Sequence, residues 1–406
     1  MKIGFYTPNW PGLTTSNGIT TSTANTVSGL RGLGHEAFIV SQEKENDDDF
    51  VVQTPPLQPF SLIDHARVRL GMPTPYYRAR AQTISDCVKS LVEQHGLDAF
   101  VMEESFGWAG FVQDAVDIPV CAVLRGPWFL HRHVLPDHAK IAFNNSREKY
   151  EGAAIARCAA IVAPSKNVLD QTLDHYSLSP KWTGVFPNPM RPKPPVDPEL
   201  FEKPGAVDIL FVGRFDPHKG GDVLLDAFAH AVGEGVEARL SFVGPDLGVP
   251  AGDGATQMIR ERLALLPEAA SSRIDYLGKL SKTEIDDLRR CSPITIVPSR
   301  FENFSNTLLE AMAAGSAVIA SDTGGLPEVL THNETGLLSP PGDVKALSAA
   351  MRRLADDRNL ARRLGDSARR HIEETLSPES VAARLAGFLK DVASDYANRT
   401  QRASAM

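Results

Sequence analysis

The chain is poor in cysteine, and its cysteines do not have the spacing of a metal site. Its 406 residues contain four cysteines, Cys87, Cys121, Cys158 and Cys291, which lie far apart in the sequence. Disulfide frameworks and structural zinc sites both need cysteines in defined patterns. We therefore expect free thiols in a reducing compartment, the cytoplasm, and no structural zinc.

Long apolar runs and an excess of basic residues are also lacking. No apolar run reaches the roughly 18 residues of a membrane-spanning helix. Met1 leads directly into residues 2–6, which are typical of a first strand, so neither a spanning segment nor a signal peptide is expected. The net charge is −8 and neither half of the chain is basic, so we expect no nucleic-acid partner.

The length and the residue pattern predict two α/β domains. At 406 residues the chain exceeds one ordinary core, and a hydrophobic fraction of 42% can fill two. Short β-branched runs alternate with helical patterns, which indicates two doubly wound parallel sheets. The predicted strands are residues 2–6, 35–40, 99–102, 120–124, 159–163, 183–186, 209–212, 239–243, 274–277, 294–297 and 318–320. A proline-rich linker at 187–204 separates the predicted domains, 1–190 and 205–376.

Residues 298–330 contain a predicted anion site. The β-branched strand at 294–297 ends at Pro298, and a helix predicted at 306–314 is stopped by Gly315. The loop between them reaches a helix N-terminus, where unpaired N–H groups and the helix dipole favour an anion. A phosphate is the expected occupant.

Glu302 and Glu310 lie on either side of that site. Carboxylates repel phosphate but accept hydrogen bonds from sugar hydroxyls, so the pair suits a phosphate between two hydroxylated rings. A nucleotide sugar has this layout. A lone pair with this spacing is also typical of surface glutamates on an amphipathic helix.

A second loop, 213–221, supplies two cations at the end of the strand at 209–212. Arg214 and Lys219 would project from the carboxyl end of that strand, where open α/β sheets bind ligands, and two cations match a diphosphate. Asp216 and Asp322 are single carboxylates in turns, and no Asp-x-Asp pair stands at a strand end of this domain. We therefore expect these cations, without a divalent metal or a cofactor, to balance the diphosphate.

The segment 298–330 resembles the nucleotide-binding signature of the family-four retaining glycosyltransferases (glycosyl transferases group 1), which have the GT-B fold. The matching positions are Glu302, Glu310, 311–313, Gly315, 321–322, 324–325, 327–328 and Gly336. The resemblance implies two Rossmann-like domains facing across a cleft. A nucleoside-diphosphate sugar would bind the second domain and the acceptor the first. A last helix, 377–397, would cross back to the first domain.

The resemblance also implies roles for individual residues. Glu302, Arg214, Lys219 and Arg125 would act in catalysis. The residues implied for donor binding are Asn17, Gly18, Arg214, Lys219, Gly244, Lys279, Leu280, Glu302, Asn303, Phe304, Ser305, Asn306, Thr307, Leu308 and Glu310. The implied activity is metal-independent transfer of the sugar, with retained configuration, to a glycan, a lipid-linked acceptor or a small molecule.

One position departs from the family. The family usually has a histidine after the strand at 120–124, where this sequence has Arg125. Arginine keeps hydrogen-bond donors but does not titrate near neutral pH, so a histidine-dependent role is in doubt. His131 and His133 could replace the histidine or be surface residues of a loop. The candidates for acceptor contact are Glu103, Glu104, His131, His133 and Arg78.

A basic stretch between the second and third predicted strands has several interpretations. It contains Arg67, Arg69, Arg78 and Arg80 among the apolar and aromatic residues Leu62, Leu70, Met72, Tyr76 and Tyr77. A solvated helix face is the favoured interpretation. Contact with the acceptor, or with anionic lipid at the inner face of a membrane, stays open.

Two other functions fit the same fold. An enzyme of this fold could epimerise or cleave a nucleotide sugar without an acceptor, and a non-catalytic module could bind a nucleotide or a glycan. The presence of Glu302, Glu310, Arg214 and Lys219 together argues against the non-catalytic module.

Overall fold

The chain forms two compact units. The computed structural model describes residues 1–11, 18–56, 59, 61–70, 72, 75–131, 141–251 and 255–404, with the backbone alone for 68, 69, 75, 76, 131, 141–146, 403 and 404. Unit 1 comprises Met1–Pro189 and Pro378–Met406, and unit 2 comprises Met190–Ser377.

Unit 1 contains a seven-stranded parallel sheet in the order β3-β2-β1-β4-β5-β6-β7. Its strands are β1 Lys2–Trp10, β2 Glu36–Lys44, β3 Val51–Gln53, β4 Ala99–Glu103, β5 Val120–Val123, β6 Ala160–Ala163 and β7 Thr183–Val185. Its helices are α1 Gly18–Gly32, α2 Leu62–Arg69, α3 Pro75–His95, α4 Trp108–Ala115, α5 Trp128–His131, α6 Ile141–Ile155 and α7 Lys166–Tyr176.

Unit 2 contains a six-stranded parallel sheet in the order β12-β9-β8-β13-β14-β15. The strands are β8 Val207–Val212, β9 Ala238–Val243, the short antiparallel pair β10 Val249–Pro250 and β11 Thr256–Gln257, then β12 Ile274–Gly278, β13 Ile294–Val297, β14 Ala317–Ser321 and β15 Leu337–Ser339. The helices are α8 Gly221–Gly233, α9 Ile259–Ala264, α10 Glu268–Ser271, α11 Lys282–Arg290, α12 Asn306–Ala313, α13 Val344–Asp356 and α14 Arg358–Thr375.

Both sheets are buried on their two faces, because helices cover each side. All four residues of β6 and of β13 are buried, and such continuous apolar runs are typical of parallel strands between helix layers. In unit 1, Val27 and Leu30 of α1 belong to the core on one face, and Ile84 and Val88 of α3 to the core on the other. The predicted pair of Rossmann-like domains is confirmed.

The last helix of the chain belongs to unit 1. Helix α15, Pro378–Ser404, follows unit 2 in sequence, and its residues Ala382, Leu385 and Leu389 are buried in the core that contains α1. Helices α1 and α15 approach so closely that a Cβ on Gly29 would lie 2.1 Å from the carbonyl oxygen of Pro378. The chain therefore re-enters the first unit after completing the second.

The proline-rich stretch 187–204 packs on both units. Residues through Pro189 belong to unit 1, whereas Val196 and Phe201 are 5% and 7% exposed and join the core of unit 2. Its prolines remove backbone donors, but the stretch still forms a short 3₁₀ helix, Pro198–Phe201, and buries apolar side chains. The stretch at 187–204 is therefore bound to unit 2 from Met190 onward.

The described residues contain no disulfide and no spanning helix. Cys87, Cys121, Cys158 and Cys291 are free thiols. None of the helices in the described part of the chain combines the length and the apolarity that crossing a lipid bilayer requires.

Candidate functional site

The predicted donor residues of unit 2 lie at the carboxyl edge of its sheet. Strands β8 and β13 are neighbours at the centre of the sheet, where the strand order reverses. Loops that follow two such strands leave toward opposite faces, so a crevice opens between them. Loop 213–220 follows β8 and loop 298–305 follows β13, and both end at a helix N-terminus, that of α8 and that of α12.

The two loops are joined by close backbone packing and by one arginine. Gly220 has a φ of 68°, and a Cβ there would lie 2.1 Å from the carbonyl oxygen of Pro298, so only glycine fits. The backbone N–H of Arg300 donates to the carbonyl of His218 at 2.9 Å. Its guanidinium donates to both carboxylate oxygens of Asp222, at 2.9 and 2.6 Å. The loops therefore form one rigid edge.

Lys219 and Glu302 meet across these loops. The ammonium of Lys219 donates to Oε1 of Glu302, and the hydroxyl of Ser299 donates to the same oxygen at 2.9 Å. The side chain of Glu302 is 8% exposed and that of Lys219 is 24% exposed. Burial by itself would raise the pKa of Glu302, but Lys219 and His218 outweigh it and hold the pKa below its usual value. Glu302 is therefore an ionised carboxylate with a cation attached.

Arg214 has a carboxylate partner of its own. Its Nε donates to Oδ2 of Asp216 at 2.6 Å, and Oδ1 of Asp216 accepts the backbone N–H of Lys219 at 2.8 Å. Asp216 is 8% exposed, whereas the side chain of Arg214 is 49% exposed. Asp216 thus orients both predicted cations, and the open side of the Arg214 guanidinium faces solvent.

Helix α12 begins directly after Glu302 and its neighbours. Ser305 caps the helix, because its hydroxyl accepts the N–H of Leu308 at 3.4 Å. Asn303 and Ser305 are buried, and Phe304, Asn306 and Thr307 are half-buried. The turn after β14 also holds this loop in place, because the backbone N–H of Gly325 donates to the carbonyl of Glu302 at 2.9 Å. The predicted helix N-terminus is therefore present, with polar residues partly accessible around it.

Glu310 lies deeper on α12 and is held by an arginine of α11. The guanidinium of Arg289 is 2% exposed and donates to Oε2 of Glu310 and, at 3.1 Å, to Oδ1 of Asp286. Arg289 does not engage Oε1 of Glu310, and the side chain is 20% exposed. This oxygen can accept a hydroxyl.

Gly244, Lys279 and Leu280 extend the same edge. They follow β9 and β12, the strands on the far side of β8, and the N–H of Gly244 donates to the carbonyl of Gly278 at 2.8 Å. Gly244 has a φ of 144°, and a Cβ there would lie 1.9 Å from the carbonyl oxygen of Gly213. Lys279 is exposed and Leu280 half-buried. The structure thus brings all predicted donor residues of unit 2 to one sheet edge.

The predicted residues of unit 1 also lie at the carboxyl edge of their sheet. Gly18 is exposed at the first position of α1, after β1, while Glu103 ends β4 and Arg125 follows β5. Strands β1, β4 and β5 are consecutive neighbours in the sheet. Asn17, His133 and the side chain of His131 lie outside the described residues.

Arg78 is exposed in the first turns of α3. The preceding residue, Tyr77, stacks on Phe106 with ring centroids 5.0 Å apart. Phe106 belongs to the loop after β4, so Arg78 lies beside that loop. Arg80, predicted to share the same basic surface, is instead 9% exposed, and its Nη1 donates to the hydroxyl of Thr54 at 3.4 Å. The prediction of a surface role for Arg80 is wrong.

Arg125 binds neutral oxygens within unit 1. Its Nη1 donates to the hydroxyl of Ser22 on α1 at 2.9 Å and to Oδ1 of Asn188. Burial lowers the pKa of Arg125, and Glu103 and Glu104 act to raise it. An arginine stays charged at neutral pH even so. A permanent cation therefore stands directly after β5, at the carboxyl edge of the sheet.

Glu104 supports the backbone on which Arg125 stands. Its two oxygens accept the backbone N–H groups of Arg125 at 2.8 Å and Gly126 at 2.9 Å, and it is 1% exposed. Burial, reinforced by the charges of Glu151 and Glu103, raises the pKa of Glu104 to about 8. Glu104 is thus a buried residue that holds the backbone of this loop. Its burial does not suit direct contact with an acceptor.

Unlike Glu104, Glu103 has a carboxyl oxygen without a hydrogen-bond partner among the described residues. The residue is 7% exposed, and the oxygen concerned is Oε2. Together with Arg125, Tyr6, Ser22 and Thr23 it lines a cavity of about 40 Å³. Burial raises the pKa of Glu103 to about 7, with Arg125 and Arg147 opposing.

The substitution Glu103→Gln is expected to stabilise the protein at alkaline pH. From pH 4.5, the unperturbed pKa, to about 7, folded Glu103 keeps a proton that the unfolded chain has released. Stability of the wild type therefore falls as pH rises through this window, and above it the folded protein holds a buried charge. The variant lacks this penalty, so we expect about 1–3 kcal/mol more stability at alkaline pH and little change in acid.

Urea unfolding of both proteins at acid and alkaline pH measures this difference. Glu104→Gln is the matched comparison at acid pH, where it should destabilise the protein because it replaces a carboxyl group that accepts two backbone N–H groups. An equal stability difference for Glu103→Gln at both pH values would show that Glu103 does not titrate in this window.

Several residues of the site were not predicted as such. Ser299, Arg300, Asp222 and Arg289 each hold a predicted residue or loop in place through the contacts above. Arg300 lies within the predicted loop, so an arginine in a predicted phosphate-binding loop was a usable signal. Arg289 is 21 residues from Glu310 on another helix, and no sequence pattern links the two.

Two family models match the chain. The model described as Glycosyltransferase Family 4 matches residues 16–193, and the model described as Glycosyl transferases group 1 matches residues 195–371. The two matched regions are consecutive, and together they include every strand of the unit 2 sheet and all but the first strand of the unit 1 sheet.

The curated relatives include D-inositol 3-phosphate glycosyltransferases of several bacteria. That of Streptomyces bingchenggensis is 30% identical over 227 residues, which are 52% of this chain and 49% of the relative. That of Geodermatophilus obscurus is 29% identical over 269 residues, 62% of this chain and 57% of the relative. The matched part of this chain thus spans about half the length of these relatives.

Solved structures resemble the chain over nearly its whole length. Sucrose-phosphate synthase from Thermosynechococcus elongatus has a TM-score of 0.73 at 20% identity, covering 97% of this chain and 99% of that one. The Anabaena protein HepE in complex with UDP-glucose has a TM-score of 0.65 at 17% identity, covering 96% and 100%. At these identities the likeness concerns the fold, and it is a likeness to glycosyltransferases of the GT-B fold.

Proposed function

This chain belongs to the family-four glycosyltransferases, and from that membership we propose that it transfers a sugar, with retained configuration, from a nucleoside-diphosphate sugar to an acceptor hydroxyl. The observation that carries the proposal is the meeting of Lys219, Glu302 and Arg214 with the N-terminus of α12 at the β8 and β13 edge. Two cations and a helix N-terminus can bind the negative charge of a diphosphate, and the carboxylates beside them can accept hydrogen bonds from sugar hydroxyls.

The donor is proposed to bind along the carboxyl edge of unit 2. The diphosphate would lie against Arg214, Lys219 and the backbone of Asn306 and Thr307. Glu310 would accept a ribose hydroxyl through its accessible oxygen. Gly244, Lys279 and Leu280 would lie near the nucleobase, since β9 and β12 place them farther along the edge.

Retention fits a same-face reaction. The acceptor oxygen would bond to the anomeric carbon on the face from which the diphosphate leaves, and the acceptor proton would pass to a diphosphate oxygen. Charge develops on the diphosphate as its bond to the sugar breaks, and Lys219 and Arg214 stabilise that charge. Glu302 binds sugar hydroxyls and holds Lys219 in place, which agrees with its burial and ionisation better than attack on the sugar would.

The acceptor is proposed to bind unit 1, near Arg125. A permanent cation at this edge attracts an anionic or strongly polar acceptor and cannot act as a general base at neutral pH. Proton removal by the leaving diphosphate makes such a base unnecessary. The acceptor class remains a hydroxyl compound, either a glycan, a lipid-linked sugar or a small molecule.

Nucleotide binding and product analysis test this function. A nucleoside diphosphate at a hundred times its dissociation constant should stabilise the protein by about 2.7 kcal/mol, which a thermal melt detects. UDP is the first nucleotide to test, because the Anabaena structure carries UDP-glucose. Absence of a shift with every nucleoside diphosphate would overturn the donor site. Rapid epimerisation or cleavage without an acceptor would overturn transfer.

Transfer is expected to survive exhaustive chelation. A metal-dependent enzyme needs carboxylates placed to hold the ion at the phosphates. In the part of the chain that the structure describes, no three His, Cys, Asp or Glu side chains come together as a metal-binding group, and Asp216 is occupied by Arg214 and the Lys219 backbone. Turnover measured with and without EDTA should agree within about twofold. Loss with EDTA and recovery on addition of Mg²⁺ or Mn²⁺ would mean that a metal balances the diphosphate.

A further inference from the structure

Three aromatic rings and one guanidinium are stacked at the carboxyl edge of the unit 1 sheet. Tyr77 lies on Phe106 with ring centroids 5.0 Å apart and 15° between the ring planes. The guanidinium carbon of Arg147 lies 4.4 Å from the ring centroid of Phe106 and 4.5 Å from that of Trp128. We call Tyr77, Phe106, Arg147 and Trp128 the ring stack. A planar cation between two aromatic faces is attracted to both, so it fixes the two rings relative to each other.

Two members of the ring stack come from the loops that carry Glu103 and Arg125. Phe106 is three positions after Glu103, which ends β4, and Trp128 is three positions after Arg125, which follows β5. These strands are parallel neighbours, with Glu103 paired to Val123. Three residues of chain span at most about 11 Å, so a ligand at Arg125 can also reach Trp128.

A buried carboxyl group and a strained loop hold the ring stack in place. Glu151 of α6 is fully buried. Its Oε1 accepts the Nε–H of Arg147 at 2.7 Å, and its Oε2 accepts the backbone N–H of Trp128 at 2.9 Å. Phe106 has a φ of 57°, a conformation that is costly for a residue with a side chain and that is enriched at functional sites. The chain thus places Phe106 against Arg147 at a conformational cost.

The ring stack is nevertheless accessible. Tyr77, Phe106, Arg147 and Trp128 are all half-buried, although each packs on a neighbour in the stack. Rings that serve the core of this unit are covered completely, as Phe100 is at 0% exposure. Fixed aromatic side chains that stay partly open, with a few polar groups beside them, are typical of a ligand-binding surface.

We propose that the ring stack binds a sugar ring of the acceptor, with Trp128 as the residue that selects it, an inference that rests on the transfer proposed above. The acceptor is then a glycan or a glycoside. Its reacting hydroxyl lies near Arg125, and a further ring of the same molecule lies on Trp128.

The chemistry of the stack fits a neutral hydroxylated ring. A sugar ring carries C–H groups on its face, which pack on the negative face of an aromatic ring, and hydroxyls on its rim, which bind guanidinium and carboxyl groups. A phosphate fits less well, because the charged groups that act on one another here are two arginines and three glutamates: Arg125, Arg147, Glu103, Glu104 and Glu151.

Binding of the full chain to an array of mono- to tetrasaccharides, without donor, tests the subsite. Calorimetric titration then measures the affinity for each glycan that binds. Trp128→Leu removes the ring and keeps an apolar side chain, and Trp128→Phe keeps an aromatic face. The matched control is Phe111→Leu, because Phe111 is 40% exposed on α4 of the same unit and has the guanidinium of Arg157 5.6 Å from its ring centroid. Thermal melting checks that each variant is folded.

We expect the wild type and Phe111→Leu to bind the same glycans, with those of two or more rings preferred to monosaccharides. Trp128→Leu should bind them about tenfold more weakly, and Trp128→Phe within about threefold of the wild type, because an aromatic face remains. Equal binding by Trp128→Leu, an equal loss in Trp128→Phe, or no glycan bound by the wild type would overturn the subsite.

Nucleotide binding separates this subsite from the donor site. A nucleoside diphosphate that raises the melting temperature of the wild type should raise that of Trp128→Leu equally. A smaller rise in Trp128→Leu would overturn the subsite, because the ring stack would then hold the nucleobase. Failure of the donor site shows differently, as no rise with any nucleoside diphosphate in the wild type, and it leaves the glycan measurements unchanged.

Discussion

Replacing Lys219 with alanine is expected to lower kcat/KM for sugar transfer by about 10²- to 10³-fold, as for the loss of one preorganised charge partner. In the proposed reaction the departing diphosphate carries its developing charge toward Lys219 and Arg214. The ammonium is three-quarters buried and already oriented by Glu302, so no reorganisation is needed when the charge appears. Steady-state kinetics with a competent donor and acceptor measure the loss.

The control separates lost charge from lost structure. Lys345→Ala removes an exposed lysine of α13 and should leave kcat/KM unchanged. Lys219→Ala also strips the buried carboxylate of Glu302 of its cation, which destabilises the protein. The double variant Lys219→Ala, Glu302→Gln should regain much of that stability while turnover stays low. Wild-type turnover in folded Lys219→Ala would refute the assignment of Lys219 to the diphosphate.

The central strands were predictable because a strand that is buried on both faces is a continuous run of apolar residues in the sequence. Residues 294–297 and 159–163 are continuous apolar and β-branched runs, and β13 and β6 are found there. Parallel strands covered on both faces need such runs, so local composition and global packing coincide. The same agreement holds for α13 and α14, whose buried residues recur at helical spacing along the sequence.

Two of the four edge strands, β3 and β15, were missed, since an edge strand needs little of that signature. β3 and β15 have three residues each and pair with a neighbour on one side alone. Residues 42–75 contain several prolines and an acidic run, which give no periodic signal of a regular element. They contain β3 and α2, and the apolar residues of α2 face solvent. A helix that packs its polar side against the protein lacks the periodic core signal on which the prediction depends.

The site was predictable as a set of residues but not as a set of pairs. Arg214, Lys219 and Glu302 were expected to face a ligand separately, one group on phosphate and the other on hydroxyls. The structure pairs Lys219 with Glu302 and Arg214 with Asp216. Such pairs form between loops that follow different strands. Lys219 and Glu302 are 83 positions apart, so no local sequence pattern predicts their contact.

The two glutamates are expected to separate turnover from nucleotide affinity. Glu302→Gln should lower kcat by about 10²-fold, because it removes the anion that orients Lys219 and binds the sugar. Its affinity for the nucleoside diphosphate should stay the same or rise, since Lys219 loses a competing anion. Glu310→Gln should weaken the diphosphate by about tenfold, the cost of one charge-assisted hydrogen bond to a ribose hydroxyl. Calorimetric titration and steady-state kinetics measure both.

Arg289 makes the control for Glu310 necessary. Glu310→Gln also leaves the buried guanidinium of Arg289 with Asp286 as its remaining carboxylate, so weaker binding could follow from a shifted α11. Arg289→Lys disturbs that pair and leaves the Glu310 carboxylate in place, so it should destabilise the protein more than it weakens the nucleotide. Glu334→Gln, an exposed glutamate of unit 2, should change neither quantity. Equal losses of diphosphate affinity in Glu302→Gln and Glu310→Gln would contradict the division of roles, because only a shared contact with the nucleotide produces them.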